Sequence, residues 1–310
     1  MTMKREAGIA QPYLRMLSPG RGVWWRVLVA VIAAVVGLVA CAVLAVLLVT
    51  AAARLVGFGD FDVDLSDGVD AGDMLATNLG LGLLIPLAWL LARSLYGVRP
   101  RWLSSTRPGL RWRWLLTCVG VAAVVWSPFW VLGTAAAAIT REAAIGAGVM
   151  AFVVVVLLTT PFQAAGEEYI FRGLLLKGFG ATGLPVAVCC FLTGLLFATA
   201  HLQFDPPLFA DRVLLGAAFA WLTVRTGGLE AGIAIHGVKN MAGLIPAGLL
   251  DDVDAALDPD SVTWIPFVVD AVLLAIAVPW IAYLWRRHER EVSPAPYSSA
   301  VPDPPTDRLS

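Results

Sequence analysis

The chain has 310 residues, of which 59% are hydrophobic and 15% are charged, and its formal net charge is -1. A water-soluble domain of this length carries much more polar surface, so the composition excludes an ordinary soluble protein. The balanced charge gives no basis for nucleic-acid binding, and we expect no such partner. The four cysteines lie in apolar stretches without CxxC spacing, which favours packing over a disulfide framework.

Apolar stretches that are long enough to cross a bilayer recur along the whole chain. A membrane-spanning helix needs roughly 20 apolar residues, and the first stretch is too long for a cleaved signal peptide. We therefore predict an all-α, polytopic transmembrane helix bundle of about eight spans. The predicted spans are 27–53, 75–95, 114–138, 150–178, 184–203, 208–226, 229–249 and 262–285.

The charges between the predicted spans indicate the orientation. The N-terminal segment, the second loop and the segment after the last span are rich in arginine, whereas the first and seventh loops are rich in aspartate. Because basic segments stay on the cytoplasmic side, an even number of spans places both termini in the cytoplasm. We expect a multi-pass protein of the plasma membrane, with membrane lipid as a partner.

Three clusters of polar residues lie inside predicted spans, where each ionisable group costs about 2.5–3.5 kcal/mol on insertion scales. They are EEYIFR at 167–172, FATAH at 197–201 and HGVKN at 236–240. Glu168 and Arg172 are four residues apart, so we expect them to pair on one helix face. Glu167 points about 100° away from Glu168, which leaves its carboxylate free for another partner.

Together these side chains suit the attack of water on an amide bond. A buried glutamate with a neighbouring histidine can take a proton from water, and a second histidine with an asparagine can donate hydrogen bonds to the oxyanion. Alternatively, Glu167, His201 and His236 bind a divalent metal such as zinc, which activates the water. The sequence contains neither HExxH nor GxSxG.

Each cluster also has a structural interpretation. A pair such as Glu168–Arg172 is often only a staple within a helix, and a single intramembrane histidine or asparagine often only bridges helices. A proton-coupled transporter would also carry glutamate and histidine in its spans, although no inverted repeat is evident here. Three clusters on three separate spans favour one shared site.

The three clusters resemble the motif set of the CAAX protease and bacteriocin-processing (CPBP, or Abi) family, whose members are similar to the Ras-converting CAAX prenyl endopeptidases. The match covers about residues 150–245. The motifs EExxxR, FxxxH and HxxxN correspond to Glu167, Glu168 and Arg172, to Phe197 and His201, and to His236 and Asn240.

The resemblance implies an intramembrane endopeptidase, glutamate-dependent or a metalloprotease. In this family pattern Glu167 and His201 activate the water, and His236 and Asn240 stabilise the oxyanion. Supporting roles fall to Glu168, Arg172 and Phe197. The chain looks bacterial, so the expected substrate is a peptide or membrane protein rather than a prenylated protein. Family members are also linked to bacteriocin immunity, and a non-proteolytic membrane scaffold or immunity protein is the alternative.

The sequence thus predicts five regions. They are a cytoplasmic N-terminal segment (1–26), the first three spans (27–138), a CPBP-like protease core (139–250), an acidic loop with the last span (251–290), and a disordered cytoplasmic tail rich in Pro, Ser and Asp (291–310).

Overall fold

The fold is that of a computed structural model, which describes residues 13–14, 16–17, 23–57, 63, 69–140, 146–250 and 263–292. Within these ranges the chain is helical and forms no β-strand, as the all-α prediction requires. Most of the two aspartate-rich loops and residues 293–310 of the C-terminal tail lie outside the described residues, while 291 and 292 end a helix rather than start a disordered tail.

The described residues include eleven α-helices and one π-helical segment. In chain order they are α1 (Val23–Leu55), α2 (Ala71–Gly82), α3 (Leu84–Tyr96), α4 (Arg101–Ser104), α5 (Trp112–Thr140), α6 (Ala147–Glu168), a π-helical segment (Tyr169–Leu175), α7 (Leu176–Ala181), α8 (Val186–Ala200), α9 (Pro206–Thr226), α10 (Glu230–Leu250) and α11 (Ile265–Val292).

In the described part of the chain, seven helical segments are long and apolar enough to span a membrane. The fifth predicted span, 184–203, is shorter than expected, because α8 has only 15 residues. It begins after Pro185, and Leu202 just beyond its end has a left-handed backbone with φ of 55°. A helix of that length rises about 22 Å, less than the roughly 30 Å of a hydrocarbon core. Both termini lie on the same side of the membrane only if α8 also crosses it. The cytoplasmic location of both termini therefore stays a prediction.

The second predicted span, 75–95, consists of two helices that meet at Leu83. Pro86 follows the junction, and a proline has no N–H to donate to the carbonyl four residues earlier. The helical ladder is therefore interrupted there. The two helices together still form one segment, Ala71–Tyr96, that is long enough to span.

Close helix packing holds the polar motifs near one another. The fourth segment runs without a break from α6 through the π-helical turns to α7, and α10 packs against α5 and α6. The helices α8 and α9 cross at Gly194 and Gly216, where a Cβ atom on Gly216 would lie 2.6 Å from the Gly194 Cα atom. Such small residues allow backbones to approach closely in membrane proteins. The Gly216 carbonyl also accepts a hydrogen bond from Arg172, so the crossing lies next to the EExxxR motif.

A buried ion pair fixes the start of α10. The carboxylate of Glu230 is fully buried and accepts hydrogen bonds from Arg111 Nε at 2.9 Å and from Arg111 Nη2 at 2.6 Å. A third Arg111 nitrogen, Nη1, donates to the Thr226 carbonyl at 2.8 Å. This contact anchors the helix that carries His236 and Asn240 to the loop before α5.

Candidate active site

The EExxxR motif lies where α6 passes into the π-helical segment. Arg172 Nη1 donates to Glu168 Oε1 at 2.7 Å, and both side chains are fully buried, so the predicted pair is present. A second Arg172 nitrogen, Nη2, donates to the Gly216 carbonyl of α9 at 3.2 Å. Short π-helical insertions are frequent at functional sites. Here the insertion directly follows the two glutamates.

His236 lies between the two glutamates of that motif. Its Nε2 atom is 3.1 Å from Glu167 Oε2, and its Nδ1 atom is 3.1 Å from Glu168 Oε1. The Nδ1 contact with Glu168 is a hydrogen bond, whereas Glu167 Oε2 is buried and receives no hydrogen bond from the described residues. His236 thus joins the two glutamates, with Glu168 also paired to Arg172.

The family pattern would place His201 beside Glu167, whereas the structure brings His236 there. Among the described residues, His236 is the one imidazole within ion-pair distance of Glu167. The Nδ1 atom of His201 instead lies 2.8 Å from the Phe197 carbonyl of its own helix. The reason is positional, since His201 follows the last turn of α8 and bonds back to it.

Phe197 is at the centre of the aromatic contacts that join the motifs. Its ring centroid is 4.7 Å from that of His201 and 5.7 Å from that of His236, both edge to face. The guanidinium carbon of Arg172 lies 4.5 Å from the same ring, a cation–π contact. Phe197 thus fixes the relative position of both imidazoles and the arginine.

Asn240 contacts a residue that the motif pattern does not contain. Its Nδ2 atom donates to Gln163 Oε1 at 3.1 Å. Gln163 is buried and precedes Glu167 by four residues, so both lie on one face of α6. No described group accepts a hydrogen bond from the other end of the Gln163 amide, Nε2.

A cavity of about 510 Å³ opens next to the motifs. Its walls are mostly apolar side chains of α1, the π-helical segment and α8. Four polar residues of the motif region line it, namely Gln163, Glu167, Thr199 and His201. The side chains of His236 and Asn240 lie behind this lining. The glutamate therefore faces the cavity while its partners hold it from the protein interior.

The predicted metal ligands Glu167, His201 and His236 are not arranged as a metal site in this structure. Within the described ranges no group of three His, Cys, Asp or Glu side chains is placed to hold a metal ion. Both nitrogens of His236 face carboxylates, and His201 Nδ1 faces a carbonyl. The residues as placed do not fit a three-ligand metal centre, and the use of a metal stays a prediction.

The fold and the polar cluster define a multi-pass membrane protein with a buried carboxylate–imidazole site. Residues 146–242 match the family model described as Type II CAAX prenyl endopeptidase Rce1-like, so the chain carries a domain of this CPBP-type family at those positions, which confirms the resemblance. All three motifs fall within the matched residues.

The chain is similar to the uncharacterized protein YyaK of Bacillus subtilis (strain 168). It is 30% identical over 92 residues, which are 27% of this chain and 30% of the relative. The chain thus matches about a third of that relative's length. No solved structure matches the chain.

The structure also groups polar residues that the motif pattern misses. Gln163 had a detectable signal, since it is a polar residue one helical turn before Glu167. Lys239 and Asp270 are charged residues in two predicted spans, and the structure places Lys239 Nζ 3.1 Å from Asp270 Oδ2. This contact joins two separate helices, so no spacing within one helix reveals it.

Proposed function

We propose that this chain is an intramembrane endopeptidase that hydrolyses a peptide bond in a membrane-associated peptide or protein. One observation carries the proposal: Glu167 and His201 line the same apolar cavity, while His236 contacts Glu167 and is itself hydrogen-bonded to Glu168, the partner of Arg172. A carboxylate that is fixed at the wall of a cavity suits general base catalysis.

In the proposed reaction, water in the cavity gives a proton to Glu167 while its oxygen attacks the carbonyl carbon of the substrate. The tetrahedral intermediate then breaks at the carbon–nitrogen bond, and the proton passes from Glu167 to the leaving nitrogen. His201, on the same cavity wall, orients the water with its Nε2 atom. His236 holds the carboxylate of Glu167 in position by its contact at 3.1 Å.

The oxyanion needs hydrogen-bond donors that face the cavity. The family pattern assigns this role to His236 and Asn240. Both nitrogens of His236 are already next to carboxylates, so the ring must turn before it donates elsewhere. We assign the role to Gln163, whose amide lines the cavity and whose Oε1 atom accepts a hydrogen bond from Asn240, which positions it.

The cavity supports a substrate with an apolar segment. A site for a polar peptide would have mostly polar walls, whereas most side chains that line this cavity are apolar. They belong mainly to helices that are long and apolar enough to span a membrane. We therefore propose a hydrophobic peptide or a membrane-protein segment in the plasma membrane as the substrate. Membrane lipid is the surrounding solvent.

The deciding experiment uses the full-length protein, purified in detergent. It is incubated with a mixture of synthetic peptides that carry apolar segments, and cleavage is followed by mass spectrometry. We expect Glu167→Gln to lower the cleavage rate roughly 10²–10⁴-fold, the usual contribution of a general base. Glu289→Gln, which makes the same chemical change on a partly exposed residue of α11, is the matched control and should retain the rate.

The same assay tests the metal prediction. Activity that survives a chelator supports the glutamate mechanism, and activity that is lost and then restored by zinc supports a metalloenzyme. Wild-type protein that cleaves nothing, or Glu167→Gln protein that cleaves at the full rate, would contradict the proposal and favour a non-proteolytic scaffold or immunity protein.

A further inference from the structure

A second pocket lies beyond the end of α3, away from the candidate active site. Its volume is about 410 Å³, within the roughly 300–1,000 Å³ of typical small-molecule sites. It is lined by Met16, Gly97, Val98, Arg99, Arg101 and Trp102. None of these residues lines the active-site cavity, and the proposed reaction uses none of them.

Two turns of the chain bring both arginines to this pocket. The helix α3 ends at Tyr96, and Gly97 has a left-handed backbone with φ of 68°, which glycine adopts without strain. The Trp102 N–H then donates to the Arg99 carbonyl at 3.0 Å, which closes a second turn. Arg99 and Arg101 therefore lie at one pocket although neither belongs to a long helix.

The wall of the pocket is fixed from the protein interior. Lys177 is fully buried, and its Nζ atom donates to the Trp102 carbonyl at 2.7 Å and to the Leu103 carbonyl at 3.1 Å. The hydroxyl group of Tyr13, also fully buried, donates to the same Leu103 carbonyl at 3.1 Å. The backbone that carries the arginines is thus held in place before any ligand binds, which lowers the entropic cost of binding.

The pocket has positive charge that the protein does not neutralise. Arg99 and Arg101 are exposed, and within the described ranges neither forms an ion pair with a carboxylate. The nearby carboxylate of Glu230 is already bound by Arg111. Arginine side chains donate paired hydrogen bonds to phosphate oxygens, so a phosphate group suits this site.

The location of the pocket indicates where the phosphate comes from. The segment Ala71–Tyr96 is long and apolar enough to span a membrane, and the pocket begins at the next residue, Gly97. Lipid phosphates lie just outside the hydrocarbon core, at the end of such a segment. Trp102 supplies an amphipathic ring of the kind that is enriched at this level.

We propose that this pocket binds the phosphate headgroup of an anionic phospholipid, with Arg99 and Arg101 as the groups that contact the phosphate. Basic pockets at the ends of membrane-spanning helices are known to recognise anionic headgroups. Phosphatidylglycerol fits the site because its headgroup carries a net negative charge. Phosphatidylcholine carries an additional cation, which the two arginines repel.

Native mass spectrometry of the full-length protein in a neutral detergent tests the site. Titration with phosphatidylglycerol and with phosphatidylcholine gives a dissociation constant for each lipid, and the wild-type protein should prefer phosphatidylglycerol. Each of Arg99→Gln and Arg101→Gln should weaken this binding roughly fivefold, and the double variant about 30-fold. The matched control is the double variant Arg107→Gln, Arg113→Gln. It removes the same charge from two exposed arginines that do not line the pocket, and it should keep the preference.

Soluble glycerol 1-phosphate distinguishes a lipid from a free phosphate compound, since it has the same phosphate chemistry without acyl chains. A large excess should leave the bound lipid in place. The proposal is overturned if glycerol 1-phosphate displaces the lipid at an equal concentration, if the wild-type protein does not prefer phosphatidylglycerol, or if both double variants weaken its binding equally. Thermal unfolding should give wild-type melting temperatures for both double variants, because the changed side chains are exposed. Neither measurement uses peptidase activity, so its outcome is independent of the proposed function.

Discussion

Removal of Arg172 tests whether the candidate site is held together by charge in a dry interior. Arg172→Met deletes the cation that lies 2.7 Å from Glu168, in a pair whose two side chains are fully buried. It also removes the hydrogen bond to the Gly216 carbonyl and the cation–π contact with Phe197. Glu168 then remains buried, with His236 Nδ1 at 3.1 Å as its remaining hydrogen-bonding neighbour.

Loss of one partner from a buried ion pair typically costs 3–5 kcal/mol, because the other charge is left uncompensated. We expect a loss of about 3 kcal/mol in the free energy of unfolding, at the lower end because His236 still faces Glu168. The matched control is Arg225→Met. Its pair with Glu289 spans 4.0 Å, and the side chains are 28% and 23% exposed. An exposed pair of this kind contributes about 0–1 kcal/mol.

The assay is equilibrium unfolding in mixed micelles with increasing sodium dodecyl sulfate, followed by circular dichroism. The double variant Glu168→Met, Arg172→Met should recover most of the lost stability, since two apolar side chains of similar volume leave no unpaired charge on this helix. If Arg172→Met lowers the free energy of unfolding no more than Arg225→Met does, the Glu168–Arg172 pair is hydrated. The description of this pair as a dry, buried ion pair is then wrong.

Two further substitutions test the packing and the donor that surround this pair. Gly232→Ala places a Cβ atom 2.5 Å from Glu168 Oε2, so we expect the free energy of unfolding to fall by about 1–3 kcal/mol. The control is Gly243→Ala on the same helix, whose Cβ atom meets nothing within 4 Å. It should be neutral or stabilising in the same unfolding assay. Gln163→Leu removes the amide that lines the cavity and contacts Asn240. It should lower the cleavage rate by about 10²-fold with little effect on unfolding, and an unchanged rate would exclude Gln163 as an oxyanion donor.

Much of the fold was predictable because membrane spans leave a strong signal in the sequence. Each span needs a long apolar stretch, and α1, α5, α9 and α10 begin and end close to the predicted positions. The length of α8 was not predictable from hydropathy, since apolar residues continue on both sides of it. Its ends depend on Pro185 and on the backbone conformation at Leu202.

The motif spacing predicted contacts within helices and left contacts between helices open. The pair Glu168–Arg172 follows from the period of a helix, because residues four apart share a face. The contact of Glu167 with His236 rather than His201 depends on how α6, α8 and α10 are rotated and shifted along their axes. No property of the individual helices fixes that arrangement.

The sequence by itself determined that this protein is a helical membrane protein and that three of its helices carry polar groups at a high energetic cost. Only the tertiary structure decided which of those groups meet, that Gln163 lines the cavity with Glu167, and that Lys239 lies beside Asp270. The physical reason is that hydrophobicity and helical period are local properties of the chain. The partners of a buried charge are chosen by the packing of distant helices, where small residues such as Gly194 and Gly216 set how closely the backbones approach.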